Sequence, residues 1–293
     1  MVSAIITTHN RKELLRRAIE SVLSQTYLEM ECIVIDDASN DGTDQICKLY
    51  PVRYIYIPKE ESKGGNYARN LGIYAAVGEY VAFLDDDDYW LPTKIEKQVK
   101  LIEEKDCELV FCGKRLEIVG HECMKFKDSL PETTYEGDMS RKILLTICCT
   151  TTNILAKRQA LIDVGLFDES LRFWQEYELT IRMAQRKPFY FVNEVLSVYR
   201  IDKKDSSRLT NKYYLWKDAV RYIHSKHKQL YSLLSYSERL EVRLLIWYDA
   251  MGRCKNSGLI FHYLFYRMIT FPFSLFEKIK NTVSYTHLTL PTT

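Results

Sequence analysis

The amino-acid sequence predicts an α/β fold with a mostly parallel, doubly wound β-sheet. Short apolar segments alternate with amphipathic helical segments over residues 2–104, which is the order of β-α-β units. The first apolar segment, residues 2–8, is rich in β-branched residues and lacks polar alternation, as expected for a strand buried on both faces. With 293 residues, 46% of them hydrophobic, the chain can bury one large or two small cores, which excludes a disordered or fibrous protein.

Each element of the N-terminal part follows from its local pattern. Strands are apolar runs bounded by turn residues, and helices carry apolar residues at spacings of three and four. Pro92 marks the start of a helix, because proline is favoured in the first helical turn. The pattern predicts strands at residues 2–8, 32–35, 52–57 and 80–84, and helices at residues 11–25, 43–50, 66–77 and 92–104.

Beyond residue 105 the pattern is less regular. Residues 212–255 are helical in composition, with many leucines, tyrosines and basic residues. The region between is a mixture of short strands and helices. We predict strands at residues 108–112 and 189–199, a mixed loop or hairpin at 117–135, and helices at 138–147, 157–165 and 174–187.

The net charge of +2 conceals an uneven distribution. Residues 1–199 contain 25 basic and 32 acidic residues, whereas residues 200–293 contain 16 basic and 7 acidic residues. An acidic sheet region argues against nucleic-acid binding, because a phosphate backbone requires a basic surface. The eight cysteines lack zinc-site spacing and are expected to be reduced thiols. No basic segment precedes the apolar residues 2–8 as in a signal peptide, so we expect a cytoplasmic protein.

Polar side chains follow the predicted strands at the end of the sheet where ligands bind in open α/β folds. The first strand ends in residues 7–11, Asp36 and Asp37 end the second, and four aspartates, Asp85 to Asp88, follow the fourth. Four adjacent carboxylates repel one another, and a hard divalent cation would relieve the repulsion. An acidic helix N-terminus is the alternative explanation. With no histidine or cysteine beside them, the aspartates predict Mg²⁺ or Mn²⁺ bound together with a diphosphate.

Four segments of the chain resemble the family-2 glycosyltransferases, which have the GT-A fold, a Rossmann-like doubly wound α/β fold. The resemblance covers about residues 2–200 and is carried by VSAIITTHNRKELLRRAIESVLSQTY, ECIVIDDASNDGT, GGNYARNLGIYAAVGEYVAFLDDDDYWLPTKI and FDESLRFWQEYELTIRMA. It implies inverting transfer of a sugar from a nucleotide-diphosphate sugar, a UDP-sugar by analogy, to a glycan or lipid-linked acceptor in cell-surface polysaccharide synthesis. It also implies a GT-A catalytic domain at residues 1–205, with a nucleotide-binding half at 1–105 and an acceptor half at 106–205.

The resemblance implies a nucleotide site at the ends of the first two strands. His9 stands where the family commonly has a tyrosine, and an imidazole can still stack on uracil. Asp37 falls on the aspartate that binds the uracil N–H, with Asp36 beside it, and Arg69 falls on the basic residue of the helix lining the pocket. The residues implied for the nucleotide-sugar are Thr7, His9, Asn10, Arg11, Asp37, Arg69, Asp85 and Asp86.

The same resemblance identifies Asp85 and Asp87 as the DxD pair. Asp87 would bind the metal that bridges the diphosphate, and Asp85 would face the ribose or a metal-bound water. The implied metal ligands are therefore Asp85 and Asp87, with Mg²⁺ or Mn²⁺ as the cofactor. Because the register within four consecutive aspartates is not fixed by sequence, Asp86 and Asp88 could exchange roles with them.

The catalytic base of the family is the aspartate of a Glu-Asp pair before an amphipathic helix. The equivalent position here is Glu176, whose additional methylene extends the carboxylate by about 1 Å. Glu178 is the competing candidate, and both could instead be solvated helix charges.

The acceptor side is implied less directly. Thr151 and Asn153 belong to a small polar stretch that resembles the acceptor border of the family. Trp174, beside the base, could stack on a sugar ring or be an ordinary core residue. Arg200 or Lys203 could neutralise the leaving group.

The C-terminal region carries an apolar, aromatic segment at residues 258–276. Arg267 near its centre disfavours a membrane-spanning helix. We expect a helical extension over residues 206–283 that makes peripheral contact with the inner face of the cell membrane through residues 256–280, or else packs on the catalytic domain or a dimer partner. Residues 284–293 resemble a translated cloning tail and are expected to be non-native.

Two other function classes stay open at this point. A sugar-nucleotide nucleotidylyltransferase shares the nucleotide and metal requirements, but it needs a glycine-rich loop after the first strand, and residues 7–12 contain no glycine. A non-catalytic nucleotide-sugar or glycan binding module is left open by Glu176 in place of aspartate. The leading hypothesis is a glycosyltransferase of the hexosyltransferase type.

Overall fold

The computed structural model describes residues 1–120, 123–204 and 212–287. The chain divides into two compact units, Met1–Asp205 and Ser206–Thr293. All eight cysteines are free thiols, most of them buried, as the absence of a disulfide or zinc pattern predicted.

The N-terminal part of the first unit alternates strands and helices in the predicted order. Its strands β1, β2, β3 and β4 pair in parallel in the spatial order β3-β2-β1-β4, which confirms the mostly parallel α/β prediction for this region. The elements are β1 (Val2–Thr8), α1 (Lys12–Leu23), β2 (Met30–Asp37), α2 (Thr43–Cys47), β3 (Arg53–Ile57), α3 (Gly65–Ala75) and β4 (Tyr80–Asp85).

The rest of the first unit extends this sheet with strands of both directions. A strand that the sequence analysis missed, β8, pairs antiparallel with both β4 and β6, and β6 pairs in parallel with β9. The elements are β5 (Tyr89–Trp90), α4 (Lys94–Glu104), β6 (Leu109–Val119), β7 (Met124–Ser129), β8 (Ile154–Lys157), α5 (Arg158–Asp163), α6 (Gln175–Ala184) and β9 (Phe189–Asp202).

Two predicted elements differ from the structure. The strand expected at 108–112 continues to Val119 and forms a hairpin with β7, one of the two forms expected for residues 117–135. The helix expected at 138–147 is only a short 3₁₀ turn, Lys142–Leu145. The turn buries too few apolar residues at helical spacing to stabilise a longer helix.

The core lies between the sheet and its helices. One face of β1 packs against α1, whose Leu15, Ala18, Ile19 and Val22 are buried. On α3, a Cβ at Gly72 would lie 2.5 Å from the side chain of Ile5, so only glycine allows this helix to approach the sheet so closely. Earlier in the same helix, Arg69 reaches Asp85 at the end of β4.

The second unit is helical. Its elements are α7 (Tyr213–Lys226), α8 (Lys228–Ser232), α9 (Tyr236–Asn256) and α10 (Ile260–His287). Ser235 and Glu238 form a capping box at the start of α9. Within the part of the chain that the structure describes, no helix combines the length and the apolar content needed to cross a bilayer. Of the expected tail, residues 284–287 continue α10 and residues 288–293 lie outside the described residues.

Candidate active site

The strand ends that carry the predicted site residues meet at one edge of the sheet. Thr7 of β1 lies between Ile35 of β2 and Asp85 of β4 in the parallel register. Because parallel strands point the same way, the loops that follow β1, β2 and β4 leave the sheet side by side. The structure therefore brings together the residues that the sequence analysis had placed at three separate strand ends.

The four consecutive aspartates divide into two pairs by burial. Asp86 and Asp88 are buried, whereas the side chains of Asp85 and Asp87 are each 31% exposed. Asp86 accepts a hydrogen bond of 2.8 Å from the Thr8 hydroxyl. Burial raises the pKa of Asp86 to about 7 and raises that of Asp88, which accepts hydrogen bonds from the Thr152 hydroxyl and from the Arg200 backbone N–H. The buried pair fixes the loop, and the exposed pair faces solvent.

Two arginines offset the negative charge of this loop. The Arg69 guanidinium, on the buried face of α3, donates a hydrogen bond of 2.6 Å to Asp85. The Arg11 guanidinium lies 3.2 Å from a carboxylate oxygen of both Asp86 and Asp87. Arg69 thus contacts Asp85, and Arg11 contacts both Asp86 and Asp87.

Asp36 and Asp37 also differ in burial and in hydrogen-bond partners. Asp36 is buried and accepts hydrogen bonds from the Tyr54 hydroxyl, at 2.7 Å, and from the Ser39 backbone N–H, at 2.9 Å. Asp37 is half-buried, and its Oδ1 is a buried oxygen with no hydrogen-bond partner. A buried acceptor without a donor is costly unless a ligand supplies one. Asp37, rather than Asp36, is thus available to a ligand N–H.

The loop after β1 is held against the loop after β2. His9 Nδ1 donates to the Asp37 carbonyl at 2.5 Å, and the Asn10 amide lies 3.1 Å from His9 Nε2. Asn10 has a left-handed backbone, with φ of 52°, and its side-chain oxygen accepts from the Asn40 N–H at 2.8 Å. His9 and Asn10 are exposed. The exposed imidazole is therefore fixed beside Asp37 by the backbone of the second loop.

Glu176 lies in the first turn of α6. The residue before this helix is Trp174, whose φ is 54°. Its carboxyl is half-buried, and burial raises its pKa. The positive charges of Arg69 and Lys114 oppose this rise, and the negative charge of Asp85 adds to it. The carboxyl of Glu176 thus shares its electrostatic surroundings with the aspartate edge of the sheet.

Two asparagines of α3 hold the segment that leads into α6. The Asn66 amide donates to the carbonyls of Asp168 and Leu171, each at 2.8 Å. The Asn70 amide exchanges two hydrogen bonds with the backbone of Phe167, at 2.9 and 3.0 Å. The helix that carries Arg69 therefore also fixes the approach to Glu176.

Glu178, the competing candidate for the base, has a structural role. It is fully buried and forms an ion pair of 2.6 Å with Arg182, which also donates to the Leu166 carbonyl at 2.7 Å. A buried carboxylate held by a guanidinium is not free to accept a proton from a substrate. The ion pair with Arg182 therefore occupies Glu178 but not Glu176.

The variant Glu178→Gln should lower the free energy of unfolding by about 3 kcal/mol, because breaking a buried ion pair leaves Arg182 without its counter-charge. Thermal and denaturant unfolding measure the change. Glu104→Gln is a matched control, since Glu104 pairs with Lys100 at the same spacing of four residues but on an exposed helix face. The control should change stability by less than about 0.5 kcal/mol. Equal effects of the two variants would contradict the structural role of Glu178.

The predicted acceptor residues are more buried than expected. Trp174 is 7% exposed and packs edge-on against Tyr177, with ring centres 5.2 Å apart, which favours the core role that the sequence analysis left open. Asn153 caps the 3₁₀ turn at Thr151–Asn153 through the Thr150 N–H and donates to the Cys112 carbonyl at 2.7 Å. Its amide is used by the backbone, and its role as an acceptor contact stays a prediction. Thr151 is also buried, and its acceptor role stays a prediction.

The sequence analysis did not identify Lys114 as a charged residue close enough to Glu176 to affect its pKa. Lys114 follows a register shift in β6, is half-buried, and lies 5.6 Å from the ring centre of Tyr199. Burial lowers the pKa of its ammonium, and the negative charges of Glu176 and Asp88 raise it. The charged residues after 112 had ended the predicted strand, although the alternating apolar residues Leu116 and Ile118 indicated that it continues.

A second missed group anchors the aspartate loop. The buried carboxylate of Glu117 accepts hydrogen bonds of 3.1 and 3.2 Å from Arg17 and lies 3.6 Å from Arg200. Arg17 in turn donates to the Asp87 carbonyl at 2.8 Å. The guanidinium of Arg200 also pairs with Asp202 at 3.0 Å. These contacts position the loop backbone.

The residues present fit a hard divalent cation that shares its ligands with a substrate. Asp85 and Asp87 are oxygen donors that reach solvent. No group of three or more acidic, histidine or cysteine side chains in the described residues is arranged to hold a metal. Mg²⁺ commonly takes only one or two carboxylates and completes its shell with phosphate oxygens and water, and Asp85 and Asp87 match that arrangement.

Comparisons with known proteins agree with this geometry. A family model described as glycosyl transferase family 2 matches residues 3–165. An uncharacterized glycosyltransferase of Rickettsia typhi is 33% identical over 206 residues, which are 69% of this chain and 64% of that protein. TuaG of Bacillus subtilis, named for a role in teichuronic acid biosynthesis, is 32% identical over 75% of this chain and 85% of its own length. WfaP of Escherichia coli, named as a UDP-Glc:alpha-D-GlcNAc-diphosphoundecaprenol beta-1,3-glucosyltransferase, is 45% identical over 35% of this chain and 41% of its own.

Solved structures share the fold. S. aureus TarS 1–349 in complex with UDP-GlcNAc aligns with a TM-score of 0.61 at 18% identity, covering 92% of this chain and 74% of TarS. The mannosyltransferase PcManGT from Pyrobaculum calidifontis, in complex with GDP-Man and Mn²⁺, aligns with a TM-score of 0.56 at 17% identity, covering 91% of this chain and 80% of its own. These alignments confirm the predicted GT-A fold. Together with the family model and the TuaG alignment, they show that the chain belongs to glycosyltransferase family 2.

Proposed function

We propose that the chain is an inverting, metal-dependent glycosyltransferase that moves a sugar from a UDP-sugar to a glycan or lipid-linked acceptor in cell-surface polysaccharide synthesis. The observation that carries the proposal is the set of carboxylates at one sheet edge, namely the partly exposed Asp85 and Asp87 and the half-buried Asp37 with its unpartnered Oδ1, in the electrostatic neighbourhood of the half-buried Glu176. The names of TuaG and WfaP support this acceptor class.

The donor would bind along the strand ends. The unpartnered Oδ1 of Asp37 would accept the uracil N–H, beside the fixed imidazole of His9. Asp85 and Asp87 would hold Mg²⁺ or Mn²⁺, which when bound supplies positive charge to the diphosphate. Arg11, between Asp86 and Asp87, would add a second positive charge to the same group.

Transfer would proceed in one displacement. Glu176 takes the proton of the acceptor hydroxyl, the acceptor oxygen forms a bond to the anomeric carbon, and the bond from that carbon to the diphosphate oxygen breaks on the opposite face. A single displacement inverts the anomeric configuration. The raised pKa of Glu176 suits a base, because a more basic carboxylate accepts a proton more readily. Because a lipid-linked acceptor lies in a membrane, we also place the enzyme at the inner face of the cell membrane.

A donor screen tests the proposal. We expect UDP and UDP-sugars, with Mg²⁺ or Mn²⁺, to raise the melting temperature more than other nucleotide diphosphates do, because a ligand that binds only the folded state stabilises it. No response to any diphosphate nucleotide with metal would contradict the proposal.

The variant Asp37→Asn should weaken UDP binding by at least about tenfold, because an amide replaces a charged acceptor for the base N–H. Isothermal titration with UDP measures the change. The control Asp106→Asn removes an exposed carboxylate ahead of β6, where it contacts Lys187 at 2.6 Å, and should leave UDP affinity unchanged. If both variants bind UDP as the unaltered protein does, Asp37 does not contact the base.

A further inference from the structure

The helix α10 presents a row of apolar side chains to solvent. Between 50% and 88% of the surface of each is exposed, and their spacing of one, three or four residues places them on a single helix face. We call this the outer face of α10; it comprises Ile260, Phe261, Leu264, Phe265 and Met268. An exposed apolar patch of this kind on a helix commonly marks an interaction surface.

The opposite face of α10 packs within the helical unit. Thr270 is 3% exposed and lies against Met251 of α9, and the Tyr266 hydroxyl lies 2.9 Å from the Tyr213 hydroxyl of α7. The helix therefore buries one side in its own unit and leaves a second apolar side in water. Folding of the unit accounts for the first side only.

The part of the chain that carries the outer face is basic in sequence. Residues 206–293 contain 13 basic and 5 acidic residues. Lys255 precedes the outer face and Arg267 lies at its edge, and both side chains are exposed. A second copy of the chain would bring a unit of the same net charge against it, which disfavours self-association. An anionic lipid surface offers both the apolar interior and the opposite charge.

We propose that the outer face of α10 inserts into the interface of a bilayer that contains anionic lipid, with Lys255 and Arg267 against the headgroups. An interfacial helix needs an apolar side and a flanking positive charge, and it does not need the length of a spanning helix. This proposal names the surface through which the enzyme would reach the membrane location proposed above, and it depends on that location. Its test uses no substrate, so failure of membrane binding and failure of sugar transfer can be told apart.

Vesicle flotation of the full chain tests the docking. We expect the protein to float with vesicles of phosphatidylcholine and phosphatidylglycerol, to float less with phosphatidylcholine alone, and to be released by salt. The double variant Phe261→Glu with Phe265→Glu should weaken flotation at least about tenfold, because it removes two large apolar groups from the bilayer. The matched control, Leu233→Glu with Tyr236→Glu, alters two exposed apolar residues elsewhere in the same unit and should float normally.

A second pair of variants tests the charge. Lys255→Gln and Arg267→Gln should each reduce binding to the anionic vesicles about fivefold, and they leave the apolar residues in place. Circular dichroism of every variant should match that of the unaltered chain, since each altered side chain is exposed. Absence of flotation in the unaltered chain, or equal flotation of the glutamate variant, would overturn the proposal. A dimer in light scattering that the glutamate variant dissolves, without flotation, would assign the face to a second copy instead.

Discussion

Replacing Glu176 by glutamine should lower kcat by about a thousandfold while the affinity for UDP stays unchanged. Glutamine keeps the shape of the side chain but cannot accept the proton of the acceptor hydroxyl. The donor would contact Asp37 and the aspartate pair, which this variant leaves in place. Steady-state kinetics with donor and acceptor, together with titration of UDP, separate the two effects.

The pH profile gives an independent check of the same assignment. Burial raises the pKa of Glu176 in the folded protein, so the base form is present above that pKa and is lost as the pH falls through it. We expect kcat to fall on the acid side at a higher pH than an ordinary glutamate would give. The glutamine variant should lose the part of the acid limb that belongs to Glu176, while the buried Asp86, whose pKa burial raises to about 7, still titrates in both enzymes. A variant with normal turnover would exclude Glu176 as the base.

The conservative variant Glu176→Asp tests distance instead of chemistry. It restores the residue type that the resemblance places at this position, but it withdraws the carboxylate by about 1 Å. Because the backbone before Glu176 is held by Asn66 and Asn70, it is not free to follow. We therefore expect turnover between those of the unaltered and glutamine enzymes.

The N-terminal half of the fold could be predicted because each of its elements carries its own local signal. The segment 2–8 is apolar throughout, and the helix after it repeats apolar residues at helical spacing. The strand β8 could not be predicted, because its four residues follow a polar stretch and are recognisable only by pairing with β4 and β6. Long-range pairing of this kind leaves no periodic pattern in so short a segment.

The candidate site could be located from sequence, but the roles within it could not be assigned. Asp36 and Asp37 are identical in type and adjacent, and the hydrogen bonds from the Tyr54 hydroxyl and the Ser39 N–H show that Asp36 is the occupied one. Glu176 and Glu178 differ because Glu178 is buried and pairs with Arg182, one helical turn further on, whereas Glu176 is half-buried. The motif contains Arg182, but it does not show which glutamate the fold buries.

The burial of alternate aspartates explains why the register of the DxD pair also needed the structure. Asp85 to Asp88 form a turn at the end of β4, closed by the Asp88 N–H to the Asp85 carbonyl at 3.1 Å, and in this turn Asp86 and Asp88 face the protein and accept hydrogen bonds from Thr8 and Thr152. Sequence gives four equivalent carboxylates. The fold gives two that are used internally and two that reach solvent, and this difference supports Asp85 and Asp87 as the metal ligands.

Asp87→Asn should reduce metal-stimulated turnover about a hundredfold and raise the metal concentration needed for half-maximal activity. An amide oxygen carries no charge, so the site loses one of two proposed carboxylate ligands. The loss should be incomplete, because Arg11 lies 3.2 Å from Asp87 and would be released towards the diphosphate. Titration of Mg²⁺ and Mn²⁺ in the transfer assay measures both effects. Asp128→Asn is the control, since Asp128 is also an exposed carboxylate held by an arginine, Arg115 at 2.6 Å, but lies on β7. If Asp87→Asn keeps the metal response of the unaltered enzyme, or if Asp128→Asn loses it equally, Asp87 is not a metal ligand and the metal-dependent form of the reaction must be abandoned.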